Sequence, residues 1–152
     1  MEDAVRFVNV FAAALTAGAW AVVMLIIMPA RRLLSDGAAV RFHQVTTPLF
    51  DRYLAPVPIV AAVFGLLALV IGSDVMSVAG LATIAGLICT AGAGIVYVRF
   101  NRPANRMIDG WSADAVPPEY PEVRERWESA HRIRTLLGAL ALGLFLAAAI
   151  AS

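Results

Sequence analysis

A chain of 152 residues in which 61% are hydrophobic, with a mean hydropathy of +0.78, is too apolar for an ordinary water-soluble domain. Its formal net charge is only +1, twelve basic residues against eleven acidic ones. That balance, with acids such as Glu122, Glu125 and Glu128 set among the arginines, excludes a general nucleic-acid-binding role and leaves the lipid bilayer as the expected surroundings.

Four apolar stretches are long enough to cross a hydrocarbon core of about 30 Å as helices. They predict an all-α fold: a four-transmembrane-helix bundle with short interfacial helices on the cytoplasmic side, forming a single integral membrane domain over residues 1–152. The first span, residues 7–28, is too long for a signal-peptide core and is read as a retained helix that Pro29 ends. Residues 38–50 suit an interfacial helix carrying Arg41, His43 and Gln44 ahead of Pro48. Pro56 and Pro58 then open the second span, residues 54–71, in a first turn where a missing N–H does least harm. Gly72, Ser73 and Asp74 join it to the third span, residues 75–98. Beyond that span Asn101 and Asn105 flank Pro103, which predicts a break and a short helix over 103–109 stopped by Gly110. The last helix, residues 121–150, opens at Tyr120-Pro121-Glu122 with proline at its first position and acids that suit the helix dipole.

Every basic residue is an arginine, and all but Arg6 fall in two segments: 31, 32, 41 and 52 after the first span, and 99 to 134 around the junction of the third and fourth. The positive-inside tendency puts both segments in the cytoplasm and both termini outside, as in a multi-pass protein of the cell (inner or plasma) membrane. Arg31 and Arg32 are expected to meet lipid headgroups. Small residues recur every four positions at Ala13, Ala17 and Ala21, at Ala82, Gly86, Thr90 and Gly94, and at Ala139, Gly143 and Ala147. Such rows predict close packing inside the bundle, with a homodimer through an exposed face as the alternative. No charge lies near the middle of a span, which counts against ion transport. Cys89 has no partner for a disulfide and reads as an inert thiol.

The segment W-E-S-A-H-R-I-R holds Trp127, His131 and Arg134 at spacings of four and three, within about 60° on one helix face. An aromatic plate, an imidazole and a permanent cation thereby share one face where a membrane helix meets water. Together with V-R-F-N-R-P-A-N-R-M-I upstream, this segment resembles the anthrone oxygenase-like family of small four-helix membrane proteins. The family pattern closes helix three with an Asn followed three residues on by an aliphatic residue, here Asn105 and Ile108, and opens helix four with Trp-x-x-x-His-x-x-Arg. The resemblance covers residues 97–145 well; the first half agrees only in hydropathy and in its basic segment. It implies oxidation of anthrone-like aromatics in some members and no assigned activity in many bacterial ones.

An anthrone loses a proton to give an extended enolate, which is electron-rich enough to react with dioxygen without a metal. In that chemistry His131 is the candidate general base, Arg134 and Asn105 the groups that meet the oxyanion, and Trp127 and Trp111 the rings that stack on substrate. His43 and Asn101 join them as candidate binding residues at the same end of the bundle. A structural reading stands beside this one, with Trp127 in an aromatic belt, His131 in a polar contact and Arg134 reaching to headgroups. Glu128 and His131 form one Glu-x-x-His pair, whereas a di-iron bundle needs two plus further glutamates, so no metal site is expected. Cofactor-independent chemistry on a hydrophobic, aromatic small molecule is the favoured reading. Haem held axially by His43 and His131 is the alternative cofactor, and a non-catalytic ligand-binding or accessory subunit the alternative function.

Overall fold

The computed structural model describes residues 1–72 and 74–152; Ser73, part of the expected link between the second and third spans, lies outside them. Seven α-helical segments make four membrane-length helices and no strand among the described residues. Helix α1 (Glu2–Val22) runs through a widened π turn, Val23–Ile27, into α2 (Met28–Arg32). Helix α3 (Asp36–Tyr53) leads through Leu54 and Ala55 into α4 (Pro56–Ile71). Helix α5 (Val78–Val96) passes through a second π turn, Tyr97–Asn101, into α6 (Arg102–Asp109), and α7 (Tyr120–Ile150) completes the bundle. The four runs Glu2–Arg32, Asp36–Ile71, Val78–Asp109 and Tyr120–Ile150 are each long and apolar enough to cross a membrane.

Local sequence accounts for the helix starts. The Ser35 hydroxyl accepts from the Ala38 N–H at 3.4 Å to open α3, and Ser77 accepts from Gly80 at 3.1 Å to open α5. The third span therefore begins at Val78 rather than at residue 75, because Asp74 and Ser77 tie residues 74–77 into a cap: Asp74 accepts from the Met76 N–H at 2.9 Å. Pro56 and Pro121 sit in the first turns of α4 and α7 as expected.

Pro29 and Pro103 do not end their helices. A helical proline lacks an N–H and collides with the carbonyl four residues back, here that of Leu25 or Arg99. Each of those carbonyls lies within a π turn, closed by Met28 N–H to Val23 O in one case and Arg102 N–H to Tyr97 O in the other. The wider turn makes room for the ring, and the helix continues. The two devices repeat in sequence as well. M-P-A-R-R at residues 28–32 corresponds to R-P-A-N-R at residues 102–106, so Arg31 and Asn105 hold equivalent places.

Helix α1 packs on both α4 and α7, and α7 packs on α5, whereas α4 and α5 touch sparsely. Around the bundle the order is α4, α1, α7, α5, with a gap between the first and the last. Small residues set the close approaches: Ala12, Ala13, Ala61, Ala141 and Phe145 form one buried cluster. Asn9 donates across it to the Ala61 carbonyl at 2.7 Å, while Thr16, Thr83 and Thr90 satisfy their hydroxyls on the carbonyl four residues back. The Ala13 and Ala17 row is buried, but Ala139, Gly143 and Ala147 face outward. Helix α7 instead buries Gly138, Ala141, Phe145 and Ala148, the face opposite the expected row. Cys89 is unpaired and only partly buried, at the edge of the same cluster.

A second cluster occupies the arginine-rich end, where Val23, Met28, Val40, Ala104, Ile108, Tyr120 and Trp127 pack together. Arg32 closes it on the outside by pairing with Glu128, whose carboxylate is 0% exposed, and with Glu125 at 2.9 Å. Arg132 adds a contact to Glu128 at 3.5 Å. Arg32 is thus drawn onto α7 while staying half-exposed, and it fastens the end of α2 there.

Candidate functional site

A cavity of about 660 Å³ fills the interior where the bundle has its gap, within the range of about 300–1,000 Å³ usual for small-molecule sites. Its side walls are Leu54, Ala55, Pro58, Ile59, Ala62 and Leu66 on the second span and Leu87, Thr90, Ala91, Gly94 and Val98 on the third. Ile59, Leu66, Ala91, Gly94 and Val98 are also exposed on the bundle surface, so the apolar part opens sideways between α4 and α5. A side chain added at Gly94 would meet nothing within 4 Å.

The closed end is polar, and Trp127 is its centre. The indole N–H donates to Asn105 Oδ1 at 2.7 Å. His131 lies parallel to the indole, with ring centroids 5.1 Å apart and planes 3° from coincidence. His43 meets it edge-on at 5.6 Å, and the Arg31 guanidinium lies 5.3 Å over the ring. Asn101 donates to the Trp127 carbonyl at 2.9 Å, leaving its own Oδ1 buried and without a partner. The two proline devices thus deliver the same element of structure to one indole, Arg31 from α2 and Asn105 from α6.

His131 Nε2 lies 3.2 Å from the Trp20 carbonyl, a pure acceptor, which assigns that nitrogen as the donor. In the neutral ring Nδ1 then carries the lone pair, and it is buried with no hydrogen-bond partner. One helical turn on, Arg134 stacks its guanidinium between two rings, 4.6 Å from Trp20 and 4.7 Å from Tyr97. Tyr97 donates to Asp51 at 3.1 Å, so a tyrosine and a carboxylate complete this wall.

Of the residues singled out from sequence, His131, Arg134, Asn105, Trp127, His43 and Asn101 all line the cavity. Trp111 does not. It stands beyond α6, packed edge-on against Tyr120 at 6.0 Å, because Gln44 holds the Ile108 and Trp111 carbonyls at 2.9 Å and turns the chain away. Trp127 itself offers substrate little free ring, being covered by His131, His43 and Arg31. Arg31 is a further correction: it is 3% exposed and lines the cavity, where headgroup contact was expected. Sequence reasoning also missed Trp20, Tyr97 and Asp51. Only the repeated x-P-A-x-R pattern could have flagged Arg31, through its equivalence to Asn105.

Glu128 is occupied by Arg32, and among the described residues no group of three or more His, Cys, Asp or Glu side chains is placed to hold a metal ion. Axial haem ligation through His131 Nε2 would require that nitrogen to leave the Trp20 carbonyl.

Neither a curated protein nor a solved structure matches the chain significantly. Residues 47–144, well over half of the sequence, match the anthrone oxygenase family, and that stretch carries Asn101, Asn105, Trp127, His131 and Arg134. The cavity-lining motif and this match lead to one conclusion: the chain belongs to the anthrone oxygenase family.

Proposed function

We propose that this protein is a membrane-embedded oxygenase that takes a flat, hydrophobic, anthrone-like molecule from the bilayer and oxidises its activated methylene with dioxygen. The observation that carries the reading is the cavity itself, apolar along its sides, open toward lipid and ending in imidazole, guanidinium and amide groups. His131 acts as general base, removing a proton from the methylene carbon to leave an enolate. Arg134, with Asn105 nearby, stabilises the developing oxyanion. Dioxygen accepts the electrons: the carbon loses two hydrogens and gains one oxygen atom as a ketone, and the second oxygen leaves as water. Because Nδ1 is covered at rest, the step includes a rotation that presents an imidazole nitrogen to the cavity. The arginine-rich segments face the cytoplasm, which places the polar end of the cavity on that side.

The test is protein-dependent oxygen consumption and quinone absorbance with anthrone as the probe, the spontaneous rate being subtracted. The His131→Ala protein is expected to fold, to bind, and to lose the protein-dependent rate. An unchanged rate in that variant removes His131 from the mechanism, and no protein-dependent rate in the wild type removes the oxygenase reading. One observation favours a second reading, ligand binding without turnover. At rest His131 Nε2 is engaged by the Trp20 carbonyl and Nδ1 is buried without a partner. Saturable binding without product would support it.

A further inference from the structure

Arg31 is the one arginine among the described residues that is fully buried. It is 3% exposed, its Nε and Nη2 are buried without a hydrogen-bond partner, and it forms no ion pair among the described residues. Several acids around that end pair with other arginines: Glu125 and Glu128 with Arg32, Asp114 with Arg41 at 3.2 Å, Asp36 with Arg124 at 3.8 Å. Asp51 accepts from the Tyr97 hydroxyl. An arginine at the water boundary of a membrane helix ordinarily extends to headgroups, yet this one is folded over Trp127 at the closed end of the cavity. A guanidinium keeps its charge under all physiological conditions, and a buried cation with no counter-ion is costly. Charges held inside membrane proteins in this way mark binding sites more often than structural ones.

We propose that Arg31 is the anion anchor of the cavity, and that the ligand carries an anionic oxygen group, a ring-borne carboxylate or ionised phenol, on its polar end. The ligand class is then an aromatic acid rather than a neutral polycycle: an apolar ring system between α4 and α5, with its charged oxygens against Arg31. This rests on the reading of the cavity as an aromatic site. It adds to Arg134, whose guanidinium is stacked between Trp20 and Tyr97 and also keeps an unpartnered Nε, a second guanidinium at the Trp127 end of the cavity. The equivalent position in the second device, Asn105, already spends its carbonyl oxygen on the Trp127 N–H, so the two halves divide the work between fixing the indole and holding the charge.

The test compares anthraquinone-2-carboxylate with its neutral carboxamide, by quenching of tryptophan fluorescence in phosphatidylcholine nanodiscs, corrected for uptake by empty discs. The wild type is expected to prefer the carboxylate by about tenfold or more, the scale of a charge-assisted hydrogen bond. Arg31→Gln is expected to lose that preference while keeping the affinity for the carboxamide, which also reports that the variant is folded. Arg31→Lys, which keeps the charge but not the fork, is expected to retain part of it. Equal binding of the two probes by the wild type, or a preference that survives in Arg31→Gln, overturns the anchor and leaves the aromatic site standing. Binding of neither probe overturns the aromatic site and the anchor with it. Displacement of the carboxylate when phosphatidylglycerol replaces a third of the lipid assigns Arg31 to a headgroup and overturns the proposal.

Discussion

Trp127 owes its position to four different helices, and its indole N–H is the most exactingly placed group in the site. Substituting Trp127→Phe removes the donor to Asn105 while keeping an aromatic ring, so the buried Asn105 oxygen is left unpaired. The expected loss is about 1–3 kcal/mol, visible as a lower melting temperature of the detergent-solubilised protein. An unchanged melting temperature would mean that the 2.7 Å contact contributes nothing net. At this scale the sequence is legible where partners share a helix: Trp127, His131 and Arg134 follow from helical spacing alone. It is silent where they do not. Trp20 and His131 lie 111 positions apart, and nothing local marks the Trp20 carbonyl as the acceptor that fixes the imidazole tautomer. Arg31 was misjudged for a related reason, since an arginine just past an apolar run looks the same in sequence whether it turns outward or inward.

Single elements show the same division. The four spans and the proline-opened starts of α4 and α7 follow from hydropathy and proline placement, but the serine caps of α3 and α5 went unread and the π turns at Val23–Ile27 and Tyr97–Asn101 do not follow at all. Proline marks where a helix must adjust, and only the surrounding packing decides whether it breaks or widens. Small residues are ambiguous in the same manner, because they stand on the outer face of α7 as well as on its inner one. Gly86, facing inward from α5, and Gly143, facing outward on α7, show the difference. A Cβ at Gly86 would stand 2.6 Å from the Phe145 ring, whereas one at Gly143 meets nothing within 4 Å. Gly86→Ala is expected to cost about 1–3 kcal/mol through overpacking, and Gly143→Ala to be neutral or to gain up to about 1 kcal/mol from reduced backbone freedom. Thermal melts of the two variants side by side check this, and equal effects would contradict the observed register of α7.

For the molecule as a whole, the bundle is firm along α4, α1, α7 and α5 and thin between α4 and α5. The buried Glu128 carboxylate and its arginines hold the closed end, and the small-residue cluster holds the rest. Family membership was readable from two short motifs around residues 99–134, while the cavity was not. An empty space is a property of how four helices fail to meet, and no residue pattern encodes it directly. The sideways opening has a thermodynamic consequence. Acyl chains are the solvent at that mouth, so ligand must displace hydrocarbon rather than water, and the quantity that governs occupancy is its mole fraction in the membrane. At fixed protein and fixed, subsaturating ligand, doubling the lipid is expected to lower occupancy about twofold, as simple mass action requires. Tryptophan quenching across a lipid titration in proteoliposomes measures it. Occupancy indifferent to lipid would mean that ligand arrives from the aqueous end instead.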